Sequence, residues 1–169
     1  CGDGKDNDCN GKADELGWQE MAPMSRVRGY TCGVYHSGKV YVFGGSSNET
    51  SKTDYKPHKS VEAHDLATNT WKTMAPMLQE RVGAACGVIG DKAYVAGGRH
   101  TDNTPSLQIY DIKKDTWSAG KPMSTLRSYA AAAVYQDKLF IIAGVGYGYQ
   151  KTAEVYDPTY KSWLPAGSL

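Results

Sequence analysis

Trp71-Lys-Thr-Met-Ala-Pro-Met77 runs on to Arg81, and the same frame recurs on both sides of it. Trp18-Gln-Glu-Met-Ala-Pro-Met24 leads to Arg28, and Trp117-Ser-Ala-Gly-Lys-Pro-Met123 leads to Arg127. A further copy opens at Trp163-Leu-Pro-Ala-Gly167. Trp and Arg are ten residues apart every time. Each Arg begins a run of eighteen residues ending in a small pair: Gly44-Gly45, Gly97-Gly98 or Ala143-Gly144. Asp65, Asp111 and Asp157 each stand six residues before the next Trp. The Trp spacing is 53, then 46, then 46, and the seven extra residues all lie between Gly45 and Asp65. A repeat that takes an insertion at one point only reveals its loop.

Inside the frame the segments read as strands. Val40-Tyr-Val-Phe43, Tyr94-Val-Ala96 and Leu139-Phe-Ile-Ile142 are short, β-branched or aromatic, and end in small residues. Such runs suit strands buried on both faces. Each follows a turn signal: Ser37-Gly38-Lys39, Gly90-Asp91-Lys92 and Gln136-Asp137-Lys138. Earlier small-residue runs such as Ala130-Ala-Ala-Ala-Val134 suit a strand crowded by neighbours near an axis. Leu107-Gln-Ile-Tyr110 and Ala153-Glu-Val-Tyr156 alternate as third strands, and the Trp segments supply the fourth. Four short antiparallel strands per repeat of this length make one propeller blade.

With the glycine doublets, the Tyr-Asp pairs before Trp and the Met-Pro-Met-like turns before Arg, residues 18–169 resemble the kelch-repeat family. The resemblance implies an all-β, kelch-type β-propeller with three four-stranded blades, at about 18–70, 71–116 and 117–169. Ala143 departs from the first glycine of the doublet, and His64 from the Tyr before Asp. Propellers close with about four to eight blades, so three make an incomplete ring. The ring is expected to be completed by further blades of a longer chain or by homo-oligomerisation.

Composition agrees with a packed β domain. The 169 residues suit one domain, and four Trp and twelve Tyr supply buriable surface. Nineteen Lys+Arg against eighteen Asp+Glu leave a net charge of +1, which argues against a nucleic-acid binder. No apolar run is long enough for a membrane span. The chain starts at Cys1, as expected of a processed product or a piece of something longer.

Residues 1–17 read as a separate acidic loop. Its first fifteen residues carry five acids and two lysines, a net charge of −3. Asp6, Asp8, Asn10 and Gly11 fall at positions one, three, five and six of a calcium loop, with Lys12 offering a carbonyl at seven and Asp14 at nine. Hard oxygen donors at alternate positions wrap a hard cation, and glycine permits the sharp turn. Gly17 occupies the position where a closing Glu belongs; Glu15 or Glu20 are substitutes, and Asp3 adds a ligand from the other side. The stretch also resembles a Cys/Asp/Asn-rich metal-binding motif of secreted bacterial proteins. That resemblance implies metal binding, a Cys1–Cys9 disulfide and an extracellular, periplasmic or cell-surface location, and the spacing of the oxygen donors points to Ca2+ as the metal. A solvated acidic tag without an ion, and a lipidated Cys1, are the alternatives.

Cys32 and Cys86 sit in the small-residue inner strands and read as buried thiols. Cys32 aligns with Ala85, so the two are offset by one position and expected to face different ways. A disulfide or metal pair is the alternative, and the absence of Cys-x-x-Cys leaves zinc little support.

Arg28, Arg81 and Arg127 have two readings. A ring of guanidiniums at the channel mouth would bind carboxylates bidentately. The resemblance adds that arginines around this mouth recognise acidic peptides in kelch adaptors. The other reading is structural, with each Arg locking adjacent strands. The loops after the doublets, Ser46–Ser60, Arg99–Ser106 and Val145–Thr152, differ completely within a kept frame, which suits recognition. Their candidates are Asn48 (in the sequon Asn48-Glu49-Thr50), Tyr55 and His58; Arg99, His100 and Asp102; and Tyr147 and Tyr149.

The expected function is a non-catalytic extracellular module that binds a protein or glycan. A second reading is a structural subunit joining copies into a ring or filament. A third is a fragment of a copper-oxidase-like or sugar-modifying propeller, for which His36, His58, His64 and His100 show no metal spacing.

Overall fold

A computed structural model describes residues 20–47, 56–100 and 103–168, without the side chains of 166–168. The acidic loop with its proposed calcium ligands and the Cys1–Cys9 pair lies outside the described residues, as do Asn48, Tyr55 and Asp102.

The described elements are all strands. The first sheet orders β1 (Cys32–His36), β2 (Lys39–Phe43), β5 (Val61–Asp65) and β6 (Thr70–Met74) side by side and antiparallel. Its insertion carries a small ribbon, β3 (Ser46–Ser47) with β4 (Lys56–Pro57). The second sheet is β7 (Ala85–Ile89), β8 (Lys92–Ala96), β9 (Leu107–Asp111) and β10 (Thr116–Gly120). The third is β11 (Ala131–Tyr135), β12 (Lys138–Ile142), β13 (Thr152–Asp157) and β14 (Ser162–Ser168). Strand β7 packs against β1 on one side and β11 on the other, so the sheets fan out from three adjacent inner strands. These are three blades of an unfinished propeller. No helix among the described residues is long and apolar enough to cross a membrane.

The sheets are out of phase with the repeat. Units drawn as 18–70, 71–116 and 117–169 begin at Trp, whereas Trp71, Trp117 and Trp163 lie in the outermost strand that finishes each sheet. The reason is visible in their bonds. Each indole Nε1 donates to a carbonyl of the Met-Pro turn one repeat earlier: Trp71 to Ala22 (2.6 Å), Trp117 to Ala75 (2.9 Å) and Trp163 to Lys121 (2.7 Å). The Trp therefore ties the outer strand of one blade to the segment that entered it. Cross-strand partners His64, Tyr110 and Tyr156 lie against these rings at 4.8, 4.9 and 5.1 Å. His64 keeps the role of tyrosine: its Nε2 is 3.0 Å from Asn69 Oδ1, and Tyr110 Oη donates to Asp115 Oδ1 at 2.5 Å. The repeated aspartates cap the turns before Trp, with Asp65 accepting from Ala67 N, Asp111 from Lys114 N and Asp157 from Thr159 N.

The two core clusters are the two seams between blades. Tyr41, Phe43, Val61 and Ala63 meet Ala93, Val95 and Tyr110 in the first. Tyr94, Ala96 and Leu107 meet Leu139, Ile141 and Tyr156 in the second. Alternation decides which face each residue joins. Among the described residues no further sheet packs on the outward faces of the end blades. Tyr35 on the first blade is 61% exposed and Tyr135 on the third is 64% exposed, although both occupy inner strands.

The doublet glycines answer to the seams. A Cβ on Gly44 would stand 2.5 Å from the Arg81 carbonyl, and one on Gly97 would collide with the Arg127 carbonyl. Both glycines take left-handed φ angles (59° and 64°), as does Ala143 (56°). Ala143 escapes the collision because no further arginine segment follows it among the described residues. A fourth blade docked in the same way would bring its carbonyl onto that Cβ, so a third seam cannot copy the other two at this point.

Candidate functional site

The arginine frame builds the loop end of the blades from inside. Arg28 Nη1 donates to Gly44 O (3.0 Å) and Ser60 O (2.9 Å), and Nη2 to Glu62 Oε1 (2.8 Å). Arg127 repeats this with Ala143 O (2.9 Å), Thr152 O (2.7 Å) and Glu154 Oε1 (3.1 Å). Arg81 has Gln108 in place of the glutamate in its sheet and turns to Glu80 O, Gln79 Oε1 and Ser106 Oγ. All three guanidiniums are enclosed. Burial pulls Arg28 and Arg81 below the ordinary arginine pKa, and Glu62 opposes this at Arg28. Their donors hold strand ends together; Nε of Arg28 and Nε of Arg127 find no hydrogen-bond partner among the described residues.

The arginine backbone closes the seams as well. Gly45 N donates to Arg81 O (2.7 Å) and Gly98 N to Arg127 O (2.8 Å), each from one blade to the next. Two residues beyond each arginine lie Tyr30, Gly83 and Tyr129. Gly83 N donates to Tyr30 O (2.9 Å), and Tyr129 N to Gly83 O (2.7 Å), a backbone chain running around the inner rim. All three take left-handed φ angles: 55°, 62° and 53°. The Tyr129 ring covers Gly83, where a Cβ would stand 2.5 Å from its Cε1. The two tyrosine rings meet edge to face at 5.9 Å, and Tyr30 is 58% and Tyr129 45% exposed. Glycine in the middle blade leaves the space that the two rings share.

The doublet loops start at this rim. Gly29 bridges to Ser46, Val82 to Arg99 and Ser128 to Val145, so each loop begins beside the residue that precedes the rim position. His58 is drawn inward: Ser47 N donates to its Nε2 at 3.1 Å, and its backbone bridges to Arg81. Arg99 and His100 are exposed, with His100 Nε2 3.1 Å from Glu80 Oε1. Tyr147 and Tyr149 stand almost fully in solvent. Asn103 Nδ2 donates to Gly146 O (3.1 Å), joining the second and third loops.

The four histidines do not converge. His36 pairs with Asp91 (3.3 Å), His58 with Ser47, His64 with Asn69 and His100 with Glu80. No group of three His, Cys, Asp or Glu placed to hold a metal occurs among the described residues. Cys32 and Cys86, expected to face different ways, instead pack against the same core between the first two blades. The offset does put them on opposite faces of their own sheets, but on consecutive blades those faces share one seam.

Sequence reasoning missed the rim tyrosines and the arginine partners Glu62 and Glu154. Both had a signal. Glu62, Gln108 and Glu154 all stand nine residues before Trp, and Tyr30, Gly83 and Tyr129 all stand two after Arg. A glycine interchanging with tyrosine marks a left-handed backbone position.

Three comparisons bear on this arrangement. The family model described as the KLHDC2/KLHL20/DRC7 Kelch-repeats domain matches residues 9–166. Kelch-like protein 36 of Bos taurus is 29% identical over 87 residues, 52% of this chain and 14% of that protein. Kelch repeat and BTB domain-containing protein 12 of Danio rerio is 29% identical over 84 residues, 48% of this chain and again 14% of the relative. The matched stretch is thus a small part of the length of these relatives. Among solved structures, that of YjhT superposes with a TM-score of 0.77 at 15% identity, covering 88% of this chain and 54% of the other. That likeness is one of fold.

Proposed function

Because this chain belongs to the kelch-repeat domain family, we propose that it is a non-catalytic protein-binding module whose ligand face is the loop end of its blades, centred on Tyr30 and Tyr129. One observation carries the reading. Both tyrosines hold a left-handed backbone that costs a non-glycine residue about 1–2 kcal/mol, where glycine serves the middle blade. About half of each residue's surface remains in solvent, so packing returns only part of that cost. Strained residues persist where the exposed group is used. Two rings set edge to face offer an apolar cleft with hydroxyl handles, suited to a proline, aliphatic or aromatic side chain. Tyr147 and Tyr149 widen the aromatic surface, and Arg99 adds a cation on the same side. The arginines of the frame are reserved for the fold in this reading.

A glycan is the second ligand class, since the same rings accept the apolar face of a sugar. The end faces bearing Tyr35 and Tyr135 favour completion by further blades, from a longer chain or from a second copy. An extracellular setting, a Cys1–Cys9 bond and calcium at Asp3, Asp6, Asp8, Asn10, Lys12, Asp14 and Glu15 belong to the same proposal and rest on the residues of the acidic loop. Calorimetry with calcium on the chain and on its Asp8→Ala variant tests that loop; no heat at millimolar calcium removes it.

Tyr129→Gly tests the ligand face. Ligands are selected from a displayed peptide library on the full chain and screened in parallel on a glycan array. The variant loses binding by at least tenfold while its thermal midpoint holds or rises, because strain is relieved. Unchanged binding overturns the reading.

A further inference from the structure

Cys32 lies four residues after Arg28, and Cys86 lies five after Arg81. Along β1, Cys32 shares its face with Val34; along β7, Cys86 shares its face with Val88. All four side chains enter the core between the first two blades. One thiol comes from each of the two blades that meet there. Strands β1 and β7 are packed neighbours that belong to different sheets, so no hydrogen-bond ladder joins them at this depth. Side chains alone hold that part of the seam.

We propose that Cys32 and Cys86 are a disulfide-forming pair that staples the first blade to the second, with the dithiol as the unlocked state of the same seam. The second seam has Ala85 and Ala132 at the matching positions, so the staple belongs to one seam only. Disulfides need close Cα atoms and converging Cβ vectors. Facing side chains on two packed inner strands supply the convergence. Both cysteines are free in the described state.

The oxidant is a small-molecule disulfide such as oxidised glutathione. One cysteine thiolate attacks a glutathione sulfur, breaks its S–S bond and expels one glutathione thiolate. The second cysteine thiolate then attacks the mixed disulfide and expels the other. The two protons given up by the cysteine thiols pass through water to the two expelled glutathione thiolates, and the two electrons released on forming the Cys–Cys bond reduce the oxidant to two thiols. Burial pushes the Cys32 thiol up, and the neighbouring Cys86 adds to the effect. Thiolate is therefore scarce near neutrality, and exchange in the folded chain is slow and accelerates with pH. The bond is set as the seam closes during folding, or on a later opening of it. The crosslink spans 54 positions of sequence and so restricts the unfolded chain strongly.

The experiment uses the full chain carrying Cys1→Ser and Cys9→Ser. Reduced, denatured protein is refolded in a glutathione redox buffer, quenched and mapped by peptide mass. The expected product is one crosslinked peptide pair containing Cys32 and Cys86. The glutathione concentration needed to reduce it is at least about 100-fold higher in the folded state than in denaturant, and reductant lowers the thermal midpoint by about 5 °C or more. In parallel, native reduced protein is treated with dibromobimane at raised pH; a bridged fluorescent product forms and is lost in Cys32→Ser and in Cys86→Ser. Equal reducibility folded and unfolded, a crosslink absent at equilibrium, or no bridging on the native protein overturns the proposal.

Discussion

Arg127 and Glu154 form a buried ion pair at 3.1 Å in the third blade, and the glutamate also accepts from Ser124 N (2.7 Å) and Ser124 Oγ (2.8 Å). Burial pushes the Glu154 carboxyl up, but the Ser124 and Arg127 hydrogen bonds together outweigh it and leave it below the ordinary value of 4.5. A depressed carboxylate contributes stability that is fully present above the unfolded value and lost as pH falls through the folded one. Urea midpoints between pH 6 and pH 3 are expected to fall, and Glu154→Gln is expected to flatten that fall. Glu154→Ala costs about 3–5 kcal/mol, since it strands a buried guanidinium. Glu154→Gln costs less, about 1–2 kcal/mol, because an acceptor remains; Gln108 fills the same frame position beside Arg81. Equal losses for the two variants would refute the charge argument.

The seam glycines and Ala143 make a paired prediction. Gly97→Ala meets the Arg127 carbonyl and is expected to cost about 2–4 kcal/mol through collision and left-handed strain. Ala143→Gly meets no such carbonyl and releases the strain, for a gain of about 0.5–1 kcal/mol. Denaturant unfolding of both variants checks the contrast. A destabilised Ala143→Gly would mean that the methyl group packs usefully.

The indole bonds can be removed without removing the rings. Trp117→Phe keeps an aromatic beside Tyr110 and deletes the donor to Ala75 O. The carbonyl is left unpaired at a blade junction, at an expected cost of about 1–3 kcal/mol. Faster amide exchange at the Met74–Met77 turn accompanies the loss. Unchanged exchange there would show that the turn is held by other contacts.

The frame that brings Cys32 to Cys86 applies equally to the second seam. Ala85→Cys with Ala132→Cys is expected to crosslink the second blade to the third on oxidation, detected by peptide mapping. Ala85→Cys with Ala131→Cys, which shifts one residue to the other face, is expected to stay reduced. Crosslinking of the second pair and not the first would mean that the alternation of faces across the seams is misassigned.

Much of this molecule was legible in its residues alone. The interval from Trp to Arg, the doublets and the aspartates determined the strands, their number per blade and the sites of the loops, because each is a local requirement of a turn, a cap or a pleat. Local chemistry cannot say which blade face meets which. That is why Cys32 and Cys86 read as pointing apart: a one-residue offset separates faces within a sheet but joins them across a seam. It is also why the arginines kept two readings, since only packing shows that Glu62 and Glu154 enclose two of them. The rim of Tyr30, Gly83 and Tyr129 belongs to the tertiary structure for the same reason. Its three members are about fifty residues apart in the chain, and only the fan of the blades brings their backbones into one hydrogen-bonded arc.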